Sequence, residues 1–193
     1  MLGAIVVEYH RGGDLLGAEA VKSIFKDLAG ALAYCHFGIR TPNDPLPNWD
    51  AIIHKDMKLE NVFLRPSAAA PGGLVSILGD FGWATNERAE HALLRRPRGA
   101  PRSPGDPNWL PPEAPRITEK SDVWGLAAVV ACACQRAVVP RALRRAAADG
   151  KYVVADVYGG RRLGAILEAM ARVDVGRRWD SRVVLREVEA GWG

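Results

Sequence analysis

Within IIHKDMKLENVFL, residues 52–64, the side chains of His54, Asp56, Lys58 and Asn61 fall inside eight positions, bounded on both sides by β-branched and aromatic apolar residues. A further acid, Asp80, follows in LGDFG. Oxygen donors from Asn61 and Asp80 suit a hard divalent cation such as Mg²⁺, which takes one or two protein carboxylates and completes its shell with water and phosphate oxygens. Lys58 offers positive charge to a phosphoryl group, and Asp56 is left to accept a proton. Each residue alone is ordinary, a solvated loop charge or a turn-forming Asp. Their order and spacing together set them apart.

For Asn61 to meet Asp80 the chain must double back between them. Two β-like runs, Asn61–Leu64 and Leu74–Leu78, are joined by the loose stretch RPSAAAPGG and predict a hairpin whose ends place Asn61 beside Asp80. Upstream, AIVVEY at 4–9 predicts a buried strand followed by a turn at RGGD. Over residues 18–36, Val21, Ile24, Phe25, Leu28, Leu32 and Cys35 recur at three-and-four spacing, the apolar stripe of an amphipathic helix. GIRTPNDPLPNWD at 38–50 is rich in helix breakers and predicts an irregular surface loop. From Gly82 to Pro115 the chain is rich in Arg, Pro and Gly without periodicity, a long exposed loop of the kind that usually carries function.

TEKSDVWGLAAVVACACQ opens on cap-type residues and continues almost wholly apolar, as a helix buried on every side would. RRLGAILEAMARV and SRVVLREVEAGW predict two further amphipathic helices. The expected fold is mainly α with a small β-hairpin, and the polar cluster lies just before that hairpin.

Composition supports one soluble core: 193 residues, 48% hydrophobic and 25% charged. The net charge of +4 is too mild and scattered to predict nucleic-acid binding, and no nucleic acid is expected as a partner. Three cysteines, Cys35, Cys132 and Cys134, lack metal-ligand spacing and point to a reducing compartment. The N-terminal MLGAIVVEYHRGG fails as a signal peptide, and no apolar run reaches the ~20 residues needed to cross a bilayer. The expectation is an intracellular protein, cytoplasmic or nuclear, without a membrane partner.

The motifs in order resemble the hinge and C-terminal lobe of a eukaryotic protein kinase. HKDMKLEN is similar to the catalytic loop H-R-D-L-K-x-x-N, DFG matches the metal-binding motif, and PPEAP sits where A-P-E falls. SDVWGL resembles the start of the lobe's long buried helix, VVEYHRGGDL the hinge, and DVGRRWD the late D-x-x-x-R-P segment whose arginine, here Arg178, pairs with the A-P-E glutamate, here Glu113.

The resemblance implies one partial kinase domain over 1–193, with a hinge at 4–14, a helical lobe at 15–193, a catalytic loop at 52–64 and an activation segment at 80–115. It implies Asp56 as catalytic base toward a substrate Ser or Thr hydroxyl and Lys58 as a contact to the γ-phosphate of ATP. Asn61 and Asp80 would hold Mg²⁺. The hinge at Glu8 and His10 would meet adenine, Val7 would be the gatekeeper, Asp14 would reach the ribose, and Phe63 would pack beneath the base. His54 and Phe81 would stack in a spine that Asp122 anchors. Lys58, two positions after Asp56, is the Ser/Thr-kinase choice, and EYHRGGDL with ENVFL resembles the NIMA-related branch.

The chain also departs from the pattern. The Gly-rich phosphate loop, the phosphate-gripping lysine and its helix glutamate are not among these residues, so the N-terminal lobe is expected to be missing and phosphate transfer by this chain alone to be weak or nil. A fragment beginning at an internal methionine is the expected explanation. The alternative is a non-catalytic interaction module whose exposed ATP-side face takes a partner protein. Lys55 stands where Arg is usual and loses the bidentate fork. Asp106 replaces a threonine and would pair with Lys58 or repel Asp56. Between Gly82 and Pro115 only Thr85 and Ser103 carry hydroxyls, so activation is expected not to depend on loop phosphorylation.

Overall fold

The structure, a computed structural model, describes residues 17–39, 46–86, 106–135 and 160–191. The expected strand at 4–9, the hinge positions Val7, Glu8, His10 and Asp14, loop positions 40–45, and Ser103 with the rest of 87–105 lie outside the described residues.

The apolar stripe forms helix α1, Ala18–Phe37, and Val21, Ile24, Phe25, Leu28 and Leu32 are all at most 4% exposed. It ends where Gly38 turns left-handed at φ 64°. A Cβ there would lie 2.8 Å from Trp49 Cδ2, because Trp49 folds back to donate from Nε1 to the Cys35 carbonyl at 2.8 Å.

Strands β2, Val62–Pro66, and β3, Leu74–Leu78, pair antiparallel with Val62 opposite Leu78 and Pro66 opposite Leu74. The strand begins one residue later than expected, since Leu59–Asn61 closes a 3₁₀ turn first. A two-stranded ribbon is marginal on its own, and here it is laid on α1. Asp27 Oδ2 accepts from the Ser76 backbone N–H at 2.7 Å, and Ser23 Oγ donates to the Leu74 carbonyl at 3.1 Å.

Ile52–Ile53, β1, pairs antiparallel with Thr85–Asn86, β4, which corrects the expectation that the chain is loop from Gly82 onward. Two-residue strands show no period, and the ladder holds because Ile53 buries its side chain against the core. The described residues 106–118 run in turns, as expected of the rest of that segment.

Helix α2, Glu119–Gln135, is buried at every position from 121 to 133. It lies against α1, β1, α3 (Gly160–Met170) and α4 (Ser181–Glu189). Both closing helices are shorter than the apolar pattern suggested. α4 starts on Asp180, whose Oδ1 accepts from the N–H groups of Arg182 at 3.0 Å and Val183 at 3.1 Å, satisfying two of the helix's orphan donors. No helix among the described residues is long and apolar enough to cross a membrane.

Candidate active site

The loop from His54 to Lys58 is held from below by one buried carboxylate. Asp122, in the first turn of α2, accepts from the backbone N–H of His54 at 2.6 Å and of Lys55 at 2.9 Å. Lys55 sits at φ 71°, in the left-handed region, where a non-glycine backbone needs such support. The same carboxylate meets His36 Nε2 at 3.1 Å, and His36 Nδ1 reaches Ser181 Oγ at 2.9 Å. His54, Asp122, His36 and Ser181 are buried. No local pattern marks His36, because its partners lie 86 and 145 positions away.

Above that anchor the loop gathers the expected residues. Lys58 Nζ pairs with Asp56 Oδ2 at 2.6 Å, and Asn61 Nδ2 donates to the same oxygen at 3.0 Å and to the Asp56 carbonyl at 2.7 Å. Asp56 is 6% exposed and Asn61 3%. With both side-chain bonds on Oδ2, Oδ1 carries no hydrogen bond among the described residues.

Asp80 comes to this cluster through the hairpin. One step beyond the Val62 and Leu78 pair, the Gly79 N–H donates to the Asn61 carbonyl at 2.9 Å. His54 closes the other side. Its Nδ1 accepts from the Asp56 N–H at 3.3 Å and its Nε2 donates to the Gly79 carbonyl at 2.9 Å, so the proton is assigned to Nε2. The Phe81 ring lies edge-on against His54 with centroids 4.7 Å apart. Asp80 itself is exposed, at φ 57°, with Oδ1 accepting from the Gly82 N–H at 3.3 Å.

The donor set fits Mg²⁺. Among the described residues no three His, Cys, Asp or Glu side chains converge as metal ligands. A partly hydrated Mg²⁺ asks for less: one or two carboxylates beside substrate phosphates. The exposed carboxylate of Asp80, one residue past the Gly79 backbone that bonds to Asn61, and the amide oxygen of Asn61 are the donors such an ion would use.

Below the loop, Arg178 is fully buried and forks onto Glu113, with Nη1 to Oε1 at 2.6 Å and Nη2 to Oε2 at 2.9 Å. Its Nε donates to the Arg172 carbonyl at 2.9 Å, and its guanidinium lies 5.4 Å from the Trp124 ring centroid. Glu113 also accepts from Ser121 Oγ at 2.7 Å, which ties the 106–118 turns to α2. Asp106 turns its Oδ1 to the Asn108 N–H at 2.8 Å, while Lys58 goes to Asp56. The Asp106 and Lys58 pair suggested by the sequence is therefore not formed. Asp106 instead lines a small cavity with Lys55, Asp56 and Trp109.

Thr85 sits half-buried in β4 with Oγ1 donating to the Asn86 carbonyl at 3.4 Å. Burial raises the thiol pKa of all three cysteines, pushing Cys35 up to about 11, with Asp122 adding to it, and both Cys132 and Cys134 up to about 12.

The profile of the protein kinase domain matches residues 4–152, and the chain belongs to the protein kinase family. Members of this family generally use ATP and Mg²⁺. The G2-specific protein kinase nim-1 of Neurospora crassa is 27% identical over 95% of this chain and 22% of its own length. A probable serine/threonine-protein kinase of Dictyostelium discoideum is 29% identical over 63% of this chain and 12% of its own. A probable receptor-like protein kinase of Arabidopsis thaliana is 32% identical over 56% of this chain and 15% of its own. The chain thus spans less than a quarter of the length of each of these relatives.

Proposed function

We propose that the chain is the hinge and C-terminal lobe of a serine/threonine kinase of the NIMA-related branch, acting on protein hydroxyls with Mg-ATP. The observation that carries this reading is the convergence of Lys58 Nζ and Asn61 Nδ2 on one oxygen of the buried Asp56, with Gly79, the residue before Asp80, bonded through its N–H to the Asn61 carbonyl. In this reading Asp56 Oδ1 takes the proton of a substrate Ser or Thr hydroxyl as the hydroxyl oxygen bonds to the γ-phosphorus and the bond to the bridging oxygen breaks, releasing ADP. Lys58 and Asn61 hold the carboxylate in place through Oδ2, and Lys58 would offer its charge to the γ-phosphoryl. Asn61 and Asp80 would hold Mg²⁺, which neutralises phosphate charge when bound. Phe63 supports adenine from below, with Val7, Glu8, His10 and Asp14 as the hinge-side contacts.

The Gly-rich loop and its lysine are not among the 193 residues. Removing one preorganised donor lowers turnover by about 10²–10³, so phosphate transfer by this chain alone is expected to be weak. Thr85, tied into β4, makes a poor phosphate acceptor, in keeping with activation that does not depend on loop phosphorylation. A non-catalytic interaction module is the second reading, and it draws on Ile77 at 44%, Phe81 at 44% and Trp83 at 49% exposure on the hairpin side.

Thermal melting with Mg-ATP separates the two. A nucleotide at 100 times its Kd stabilises by about 2.7 kcal/mol, or about 5–11 °C for a chain of this size. The enzyme reading expects such a shift, reduced by EDTA and by Asp80→Asn, together with residual transfer to a generic protein substrate that Asp56→Asn abolishes. A melt unmoved by Mg-ATP overturns it.

A further inference from the structure

Gly79, the residue just before Asp80, has backbone that is clamped at both polar atoms. Its N–H donates to the Asn61 carbonyl at 2.9 Å and its carbonyl accepts from His54 Nε2 at 2.9 Å. It is not in the left-handed region that would by itself demand glycine. What excludes a side chain is the Phe63 ring: a Cβ built on Gly79 falls onto its edge, 2.6 Å from Cδ2 and closer still to Cε2. The strand register forces this proximity, because Phe63 stands opposite Ile77, two residues before Gly79 and on the same face.

We infer that Gly79 is a positioning residue which sets the height of the Phe63 ring, and through it the depth of the nucleotide site. The inference rests on the assignment of Phe63 to the floor of that site. Carbon atoms pack best at about 3.5–4.0 Å, so a methyl at 79 requires the ring and the backbone to part by about 1.5 Å or more. Gly79 cannot supply it without breaking its bonds to Asn61 and His54, the two residues that hold Asp56 and the hairpin together. Phe63 is half-buried, with room on its open side, so the ring gives way. It moves away from the Gly79 backbone and into the space where a base would lie. Size at 63 and size at 79 are thus coupled: a large ring here requires glycine there, and a smaller aliphatic floor would tolerate a methyl.

A double-mutant cycle on the full chain tests this with Mg-ATP titrated calorimetrically. Gly79→Ala is expected to weaken Mg-ATP at least about tenfold. The double variant Phe63→Leu with Gly79→Ala should bind within about threefold of Phe63→Leu alone. If Gly79→Ala binds Mg-ATP as the parent does, or if Phe63→Leu gives no relief, the coupling is refuted while the nucleotide site stands. A parent that fails to bind Mg-ATP refutes the nucleotide reading itself, and the inference falls with it. Should Gly79→Ala fail to fold, the double variant decides: recovery of the cooperative melt supports the coupling, and continued failure overturns it.

Discussion

Asp122→Asn is the perturbation that most directly tests how the site is held. The carboxylate serves three donors: His54 N–H at 2.6 Å and His36 Nε2 at 3.1 Å on Oδ2, and Lys55 N–H at 2.9 Å on Oδ1. Asparagine replaces one of those oxygens by an NH₂ group. The less damaging orientation turns that group toward Lys55, orphaning one buried N–H and pairing the other two donors with a neutral acceptor. An orphaned buried donor costs about 1–3 kcal/mol, and bonds to a charged acceptor exceed neutral ones by about 1 kcal/mol.

Lys55 then also loses the tether that offsets its left-handed backbone, worth about 1–2 kcal/mol. The expected loss is about 3 kcal/mol, a large part of the 5–15 kcal/mol that holds an ordinary domain. Urea unfolding measures the total, and amide hydrogen exchange at His54 and Lys55 localises it. A variant within about 0.5 kcal/mol of the parent, with those two amides still protected, would show that Asp122 does not hold the loop.

Arg178→Lys retains the charge but loses the fork onto Glu113 and the stacking on Trp124, so urea unfolding should show about 2–4 kcal/mol of destabilisation despite the conservative chemistry. At pH 8 a thiol raised to about 11 or 12 is at most about one part in a thousand thiolate. Iodoacetamide should therefore leave Cys35, Cys132 and Cys134 unmodified in the native chain and alkylate all three in urea, as read by intact mass. For Asp180, burial pushes the carboxyl up, but the Arg182 side chain and the Val183 and Arg182 N–H groups outweigh it and hold it below its ordinary value of 3.8. A lowered folded value gives stability that is complete above the ordinary one and fades as the pH falls through it. Asp180→Ala should thus cost about 1 kcal/mol near neutrality, and the gap to the parent in urea midpoint should narrow once the pH drops below 3.8.

The local parts of the fold were legible because period and punctuation coincide in them. The stripe from Val21 to Leu32 gives α1 almost to the residue, and the apolar run after Ser121 gives a helix with no wet face. β4 was not legible, since Thr85 and Asn86 have no alternation and are ordered only by Ile52 and Ile53 arriving alongside. In the site, the spacing of Asp56, Lys58 and Asn61 was enough to group them. The choice Lys58 makes between Asp56 and Asp106 is decided by loop geometry instead. The clash awaiting a Cβ on Gly79 depends on a register two strands wide, which no window of sequence contains.

The connection between β2 and β3 looks from its alanines, proline and glycines like slack tether, the sort of place where a tag or reporter would be spliced in. It is seated instead: Gly72, at φ 72°, lies so close to α1 that a Cβ on it would come within 2.6 Å of Ala20 Cα. Splicing there would lever the ribbon off its helix and carry Asp80 away with it. Gly73, with open space around it, marks where such contact stops.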